Sequence, residues 1–235
     1  MTRTTRLALA GLSLGAAAAL TVFGTALPAV AHASGGTAVS QTYPWSSDSM
    51  VVDVPADVEY RPGPTWHLTI TAPERTLRQL VVENGRIRAK PHTCFSLIPF
   101  CISFGTDVED TVHVEVSGPA LRAISIDGAA RIRLHQVHQD RLALKIDGSG
   151  KVRGSGTVQD LSVLIDGAGD VHLGRLIEQQ ARIGINGSGK VSIAPTDRVT
   201  VRINGAGKVW LHSNPAHVST HIDGAGEVRR VAAGH

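Results

Sequence analysis

IDGSGKV (146–152), IDGAGDV (165–171), INGSGKV (185–191) and INGAGKV (203–209) are four copies of one motif. IDGAARI (126–132) and IDGAGEV (222–228) extend the series at its two ends. Asp or Asn stands at 127, 147, 166, 186, 204 and 223, so successive copies lie 20, 19, 20, 18 and 19 residues apart. A unit of about 20 residues cannot bury its own apolar face, so such a period marks stacked repeats rather than an ordinary globular core.

The phase of the apolar residues fixes what each unit is. Ile126, Ile146, Ile165, Ile185, Ile203 and Ile222 stand one residue before the Asp/Asn. Ile132, Val152, Val171, Val191, Val209 and Val228 stand five after it. Mostly polar residues alternate with these and with Ile124, Leu144, Val163, Ile183 and Val201. Period-two alternation on both sides of the glycines predicts strand, tight corner, strand. The expected corners are Asp127-Gly128, Asp147-Gly148 with Gly150, Asp166-Gly167 with Gly169, Asn186-Gly187 with Gly189, Asn204-Gly205 with Gly207, and Asp223-Gly224 with Gly226. Glycine allows positive φ and lets neighbouring backbones approach. A second corner is expected at Gly154-Ser155-Gly156, Gly174, Ala194-Pro195 and Asn214-Pro215. Equivalent positions carry the same aliphatic type in each copy, so a stack of identical columns is predicted: an all-β, parallel β-solenoid.

The rest of the chain divides around this array. Residues 1–33 read as a secretory signal peptide, with Arg3 and Arg6, an apolar run from Leu7 to Phe23, and small residues at Ala29, Ala31 and Ala33 before the cut. No transmembrane segment is expected in the mature chain. Residues 34–118 form a less regular β region, as early rungs or a cap, and 119–235 the repeats. Within it, TLRQLVVENGRIRAK (76–90) aligns with ALRAISIDGAARIRL (120–134), which suggests that the stack continues there with a degenerate corner. Without the signal the chain carries 21 basic and 20 acidic residues, so nucleic acid is not an expected partner.

Cys94 and Cys101 enclose FSLIPF, and export to an oxidising compartment favours a disulfide between them. Two cysteines without a second pair do not make a zinc site. No cofactor is expected.

Repeated I-[DN]-G-[AS]-G-x-V at steps near 20, after a β-rich leader, resembles the bacterial head GIN domain family of auto-transporter adhesins over about 51–231. PADVEYRPGPTWHLTITAPERTLRQLVVENGRI (55–87) is similar to that family's opening segment. The resemblance implies a β-helix-like solenoid and an adhesive, non-enzymatic role at the bacterial surface or in the periplasm. The partner it implies is a cell-surface glycan or protein. The chain closes on VRRVAAGH, without a barrel or sorting signal, so self-transport is not expected.

Several residue sets are candidates for chemistry. The Asp/Asn column could hold a cation, but Asp and Asn also shape corners by bonding nearby N–H groups, and stacked Asn form amide ladders. The structural role is preferred. Asp147, Asp166 and Asp170 supply acids, and Lys151 a basic residue, for a polysaccharide-cleaving site, which needs paired carboxylates at a set distance. A solvated face is the preferred reading. His135 and His138 fall on opposite strand faces, and His212 lies four rungs from His135, so no shared metal is expected. The partner-binding candidates are the aromatic loop, with Phe95, Leu97, Ile98, Phe100 and Phe104, and the outward column with Arg133, Arg153, Trp210 and Arg229. A disulfide-closed flap over the open end or side of the solenoid is the preferred reading of the loop, and a solvated face that of the column. Arg and Trp on a flat β face suit sugars and acidic groups.

Overall fold

The computed structural model describes residues 37–90, 93–97, 100–104 and 110–231. The expected signal peptide lies outside them. Four strands come first: β1 (Ala38–Tyr43), β2 (Ser49–Asp53), β3 (Ala56–Pro62) and β4 (His67–Pro73). A single-turn helix, α1 (Glu74–Leu77), precedes β5 (Leu80–Glu83), β6 (Arg86–Ala89), β7 (Thr93–Leu97), β8 (Phe100–Phe104), β9 (Val112–Gly118) and β10 (Ala123–Ile126). The repeats form β11 (Ala129–Ile146), β12 (Ser149–Ile165), β13 (Ala168–Ile185), β14 (Lys190–Gly205), β15 (Lys208–Leu211), β16 (His217–Gly224) and β17 (Glu227–Arg230).

The repeats stack as a parallel β-solenoid, and the register joins equivalent positions. Ile146 lies opposite Ile165, Ile165 opposite Ile185, Ile185 opposite Ile203, and Ile203 opposite Ile222. Val152, Val171, Val191 and Val209 form a second column. Apart from Ile222 these side chains are buried, each worth roughly 1.5–3 kcal/mol of transfer free energy. Alternation lapses twice more in a rung. In β11 the inward residues run Ala130, Ile132 and Leu134, then Val137, then Leu142, Leu144 and Ile146. Each full rung therefore has three straight segments, with bends after Leu134 and around Asp140, and the register shifts at the first bend.

The corner glycines owe their place chiefly to close approach. The Gly148 carbonyl accepts the Ala168 N–H at 3.0 Å, which carries the ladder across the corner. A Cβ on Gly167 would lie 2.5 Å from that same carbonyl oxygen. The second glycine of the motif meets the corner isoleucines instead: a Cβ on Gly150 would lie 2.9 Å from Ile126 Cδ1. Positive φ, which glycine allows, occurs among the motif glycines only at Gly205 and Gly224.

The N-terminal region joins the same sheet. β2 pairs in parallel with β10, and β3 with β11, so 49–62 forms a rung beneath the first repeat. β9 continues the ladder beyond β3, and antiparallel β4 and β1 finish that end. Residues 76–90 depart from the repeats they align with. Asn84 and Gly85 have φ of 50° and 76°, so the chain reverses into an antiparallel β5–β6 hairpin. β6 then pairs in parallel with β2.

At the other end β16 and β17 pair on one side only among the described residues. Ile222 is 38% exposed where its equivalent Ile203 is fully buried. β7 and β8 form a separate antiparallel hairpin. Its register sets Cys94 opposite Ser103 and Cys101 opposite Ser96. The side chains of Cys94, Cys101, Phe95, Leu97, Phe100 and Phe104, and Ile98 as a whole, lie outside the described residues. No helix among the described residues is long and apolar enough to cross a membrane.

Candidate functional site

Strands β9, β3, β11, β12, β13, β14, β15 and β17 run side by side as one parallel ladder. Alternation turns every second side chain outward, so the ladder displays continuous outward columns. One reads Glu115, Glu59, Arg133, Arg153, His172, Ser192, Trp210, Arg229. It contains four of the candidate binding residues and changes character along its length. Acids come first, then bases, then a hydroxyl and a half-buried indole.

A groove of about 750 Å³ follows the basic stretch. Arg133, Arg153, His172 and Ser192 form one wall, and His135, Arg175 and His212 also line it. The groove arises where β13 bulges. Between His172 and Ile177, β13 carries four residues, whereas β14 carries only Ile193 between their partners. The surplus brings Arg175 out opposite Ser155. Gly174 lies under the His212 ring, and a Cβ there would fall 3.0 Å from His212 Cδ2.

The groove's charges are unevenly matched. Glu59 takes Arg133 Nη1 at 3.1 Å and His135 Nε2 at 3.5 Å. Partial burial pushes the Glu59 carboxyl upward, but the Arg61 hydrogen bond and the charges of Arg61, His135 and Arg133 outweigh it and hold it below the usual range. Asp170 lies 2.9 Å from His172 and 3.4 Å from Lys151. Arg229 pairs with Glu227. Among the described residues no carboxylate comes within salt-bridge distance of Arg153 or Arg175.

The Asp/Asn column lies at a corner. Asn204 Nδ2 donates to Asn186 Oδ1 at 3.0 Å, and Asn186 Nδ2 to Asp166 Oδ1 at 2.6 Å. Asp147 takes the Lys145 ammonium at 2.7 Å, and Asp127 the Ser125 hydroxyl at 2.7 Å. Asp223 lies 3.1 Å from His221. The four residues weighed for polysaccharide cleavage therefore divide between two places, Asp147 and Asp166 at the corner, Lys151 and Asp170 on the sheet. No group of three or more His, Cys, Asp or Glu side chains among the described residues is arranged to hold a metal.

Two residues escaped the sequence reading. Arg175 sits outside the motif, and its signal was the change of step from 20 to 18 residues, which implies unequal corners. Glu178 is fully buried and opposite both Val158 and Pro195. Ala194 N–H donates to its Oε1 at 2.9 Å, while Oε2 is buried without a partner among the described atoms. Burial drives its carboxyl up to about 8, against the backbone N–H bonds that oppose the shift. Its signal was phase: Leu176 and Glu178 face in and Ile177 faces out.

Of three similar solved structures, the first agrees on the fold. A putative adhesin from Bacteroides fragilis superposes with a TM-score of 0.59 at 14% identity, over 84% of this chain and 98% of that one. A putative lipid binding protein from Parabacteroides distasonis gives 0.42 at 17%, over 84% and 98%. A putative adhesin from Parabacteroides merdae gives 0.40 at 15%, over 84% and 97%. No curated protein matches the chain. The family model described as "Putative auto-transporter adhesin, head GIN domain" matches residues 48–215. That span holds the early rung, the β5–β6 and β7–β8 hairpins and the repeats through INGAGKV, and by it the chain belongs to the head GIN domain family.

Proposed function

We propose that the protein is a secreted, non-enzymatic binding protein of the bacterial periplasm or cell surface. It holds a cell-surface glycan or protein against the flank sheet that carries Arg133, Arg153, Trp210 and Arg229. The observation that supports this reading is the long outward ladder with an open groove of basic and hydroxyl side chains. Binding on such a face needs breadth and rigidity rather than a deep enclosure. Asp170 is taken up by two bases, and Asp166 by an amide, so neither is set as a catalytic partner of the other. The adhesin description of the family supports the same reading. The aromatic Cys94–Cys101 hairpin is a second contact element, closed by a disulfide after export.

The test is a binding screen of the purified protein on an array of surface glycans, envelope polymers and matrix proteins. Retention of at least one, lost when Arg153 and Trp210 are both changed to Ala, is expected. Retention of none removes the reading. A second reading, end-to-end assembly, is favoured by one observation: the exposed Val218 and Ile222 of the terminal rung, beside strand edges that are unpaired among the described residues. Size-exclusion chromatography across a dilution series separates the two, since assembly gives a concentration-dependent mass that Ile222→Ser abolishes.

A further inference from the structure

Arg133 and Arg153 are direct partners across two adjacent strands, and His172 follows in the same column. Like charges set opposite one another, about 4.8 Å apart at β spacing, repel. The solenoid relieves the first of them internally. The Glu59 carboxylate pairs with Arg133 and His135, two of the residues that line the groove. One rung further, Arg153 has a base on each side and no carboxylate in reach among the described residues. Arg175, brought out by the β13 bulge, adds a second unmatched guanidinium to the same groove. Asp170 does not relieve them, because it is held by Lys151 and His172.

We infer that the groove binds a linear sugar or polyol polymer bearing a carboxylate or phosphate on its repeating unit, laid along the stacking axis, with Arg153 and Arg175 as its anchors. The inference rests on the binding role proposed above and narrows its ligand. Guanidinium forks match the planar carboxylate and the phosphate alike, and the Glu59 carboxylate already takes one hydrogen bond from Arg133 on the neighbouring rung. The walls continue over four rungs, which suits a chain rather than a compact molecule. Ser155 and Ser192 offer hydroxyls between the bases. Trp210 follows Ser192 in the column and presents a ring on which a sugar face can stack. Single-stranded nucleic acid fits less well, since it needs a succession of aromatic platforms and the outward column has this one.

The test measures binding of the purified protein to four immobilised probes: sodium polygalacturonate, poly(glycerol phosphate), neutral dextran and poly(dT). Binding to polygalacturonate or poly(glycerol phosphate) is expected, weakening with salt, and whichever binds tighter identifies the acid. Arg153→Gln with Arg175→Gln should weaken it roughly 10- to 100-fold. Lys190→Gln with Lys208→Gln, on the same sheet outside the groove, should change it by less than about 3-fold. Thermal melts of both double variants check that they fold. Equal losses in the two double variants would overturn the inference in favour of diffuse surface charge, and poly(dT) binding as tight as the acidic polymers would overturn it in favour of nucleic acid. Dextran binding without preference for acid overturns the ligand class but leaves the binding role standing. Failure on these probes and on the glycan and protein array together removes both.

Discussion

Glu178 makes the stability of this solenoid depend on pH. Its side chain is fully buried in the stack, opposite Val158 and Pro195, with one hydrogen bond from the Ala194 N–H. Burial raises its carboxyl from an ordinary 4.5 to about 8. Between those values the native state holds a proton that the unfolded chain has released, so stability falls as pH rises. The contribution is whole below the unfolded value and is spent by the time pH passes the folded one. Each pH unit inside the window removes up to about 1.4 kcal/mol, so the fall from roughly pH 5 to pH 8 amounts to about 3–4 kcal/mol. That is a large share of the 5–15 kcal/mol typical of a domain. Glu178→Gln keeps an acceptor for Ala194 and cannot ionise, but it buries an amide N–H without a partner. It should be less stable than wild type by roughly 1–3 kcal/mol in acid and more stable in base. Urea midpoints of both proteins across this pH range read the effect, and the two curves should cross. Parallel curves would show that the carboxyl ionises over the same pH range folded as unfolded, and would refute the argument.

Four further outcomes follow from the same geometry. Gly167→Ala drives a Cβ to 2.5 Å from the Gly148 carbonyl oxygen and should cost about 1–3 kcal/mol, whereas Gly128→Ala meets nothing closer than 3.9 Å and should be nearly neutral; urea unfolding of the pair separates close approach from glycine entropy. Asn186→Asp removes the hydrogen bond that the Asn186 amide donates to Asp166 and sets two carboxylates side by side, so a loss of roughly 1 kcal/mol at neutral pH is expected in the same assay. Glu59→Gln frees Arg133 and His135, and should tighten binding of whichever acidic polymer the groove takes by about 3- to 10-fold; an unchanged affinity would mean that the groove ends at Arg153. Thiol titration of the exported protein should find Cys94 and Cys101 unreactive until a reductant is added, and prompt reaction would exclude the crosslink.

The stack was legible in the sequence because its physics is local and repeated. A column such as Ile146, Ile165, Ile185 and Ile203 needs one residue type at one phase, and the chain states it at each turn. The corner was legible for a related reason. Gly148, Gly167 and Gly187 recur because each backbone must clear the rung below, a demand no other residue meets. What the period could not carry was whatever differs from rung to rung. ENGR at 83–86 aligns with a repeat corner yet closes a hairpin, because Asn84 and Gly85 can both take positive φ and no rung constrains them from both sides. The groove has the same origin. Arg133, Arg153 and His172 were visible as a column, but that Arg153 alone of the three lacks a carboxylate partner among the described residues depends on where Glu59 and Asp170 fall in three dimensions. Arg175 depends on a bulge that only the changed step between copies betrays. In a solenoid, then, the repeated residues carry stability and the departures from repetition carry selectivity. The outward column passes from acids to bases to an indole along the stack, and the unequal corner between His172 and Ile177 adds Arg175 to its basic stretch.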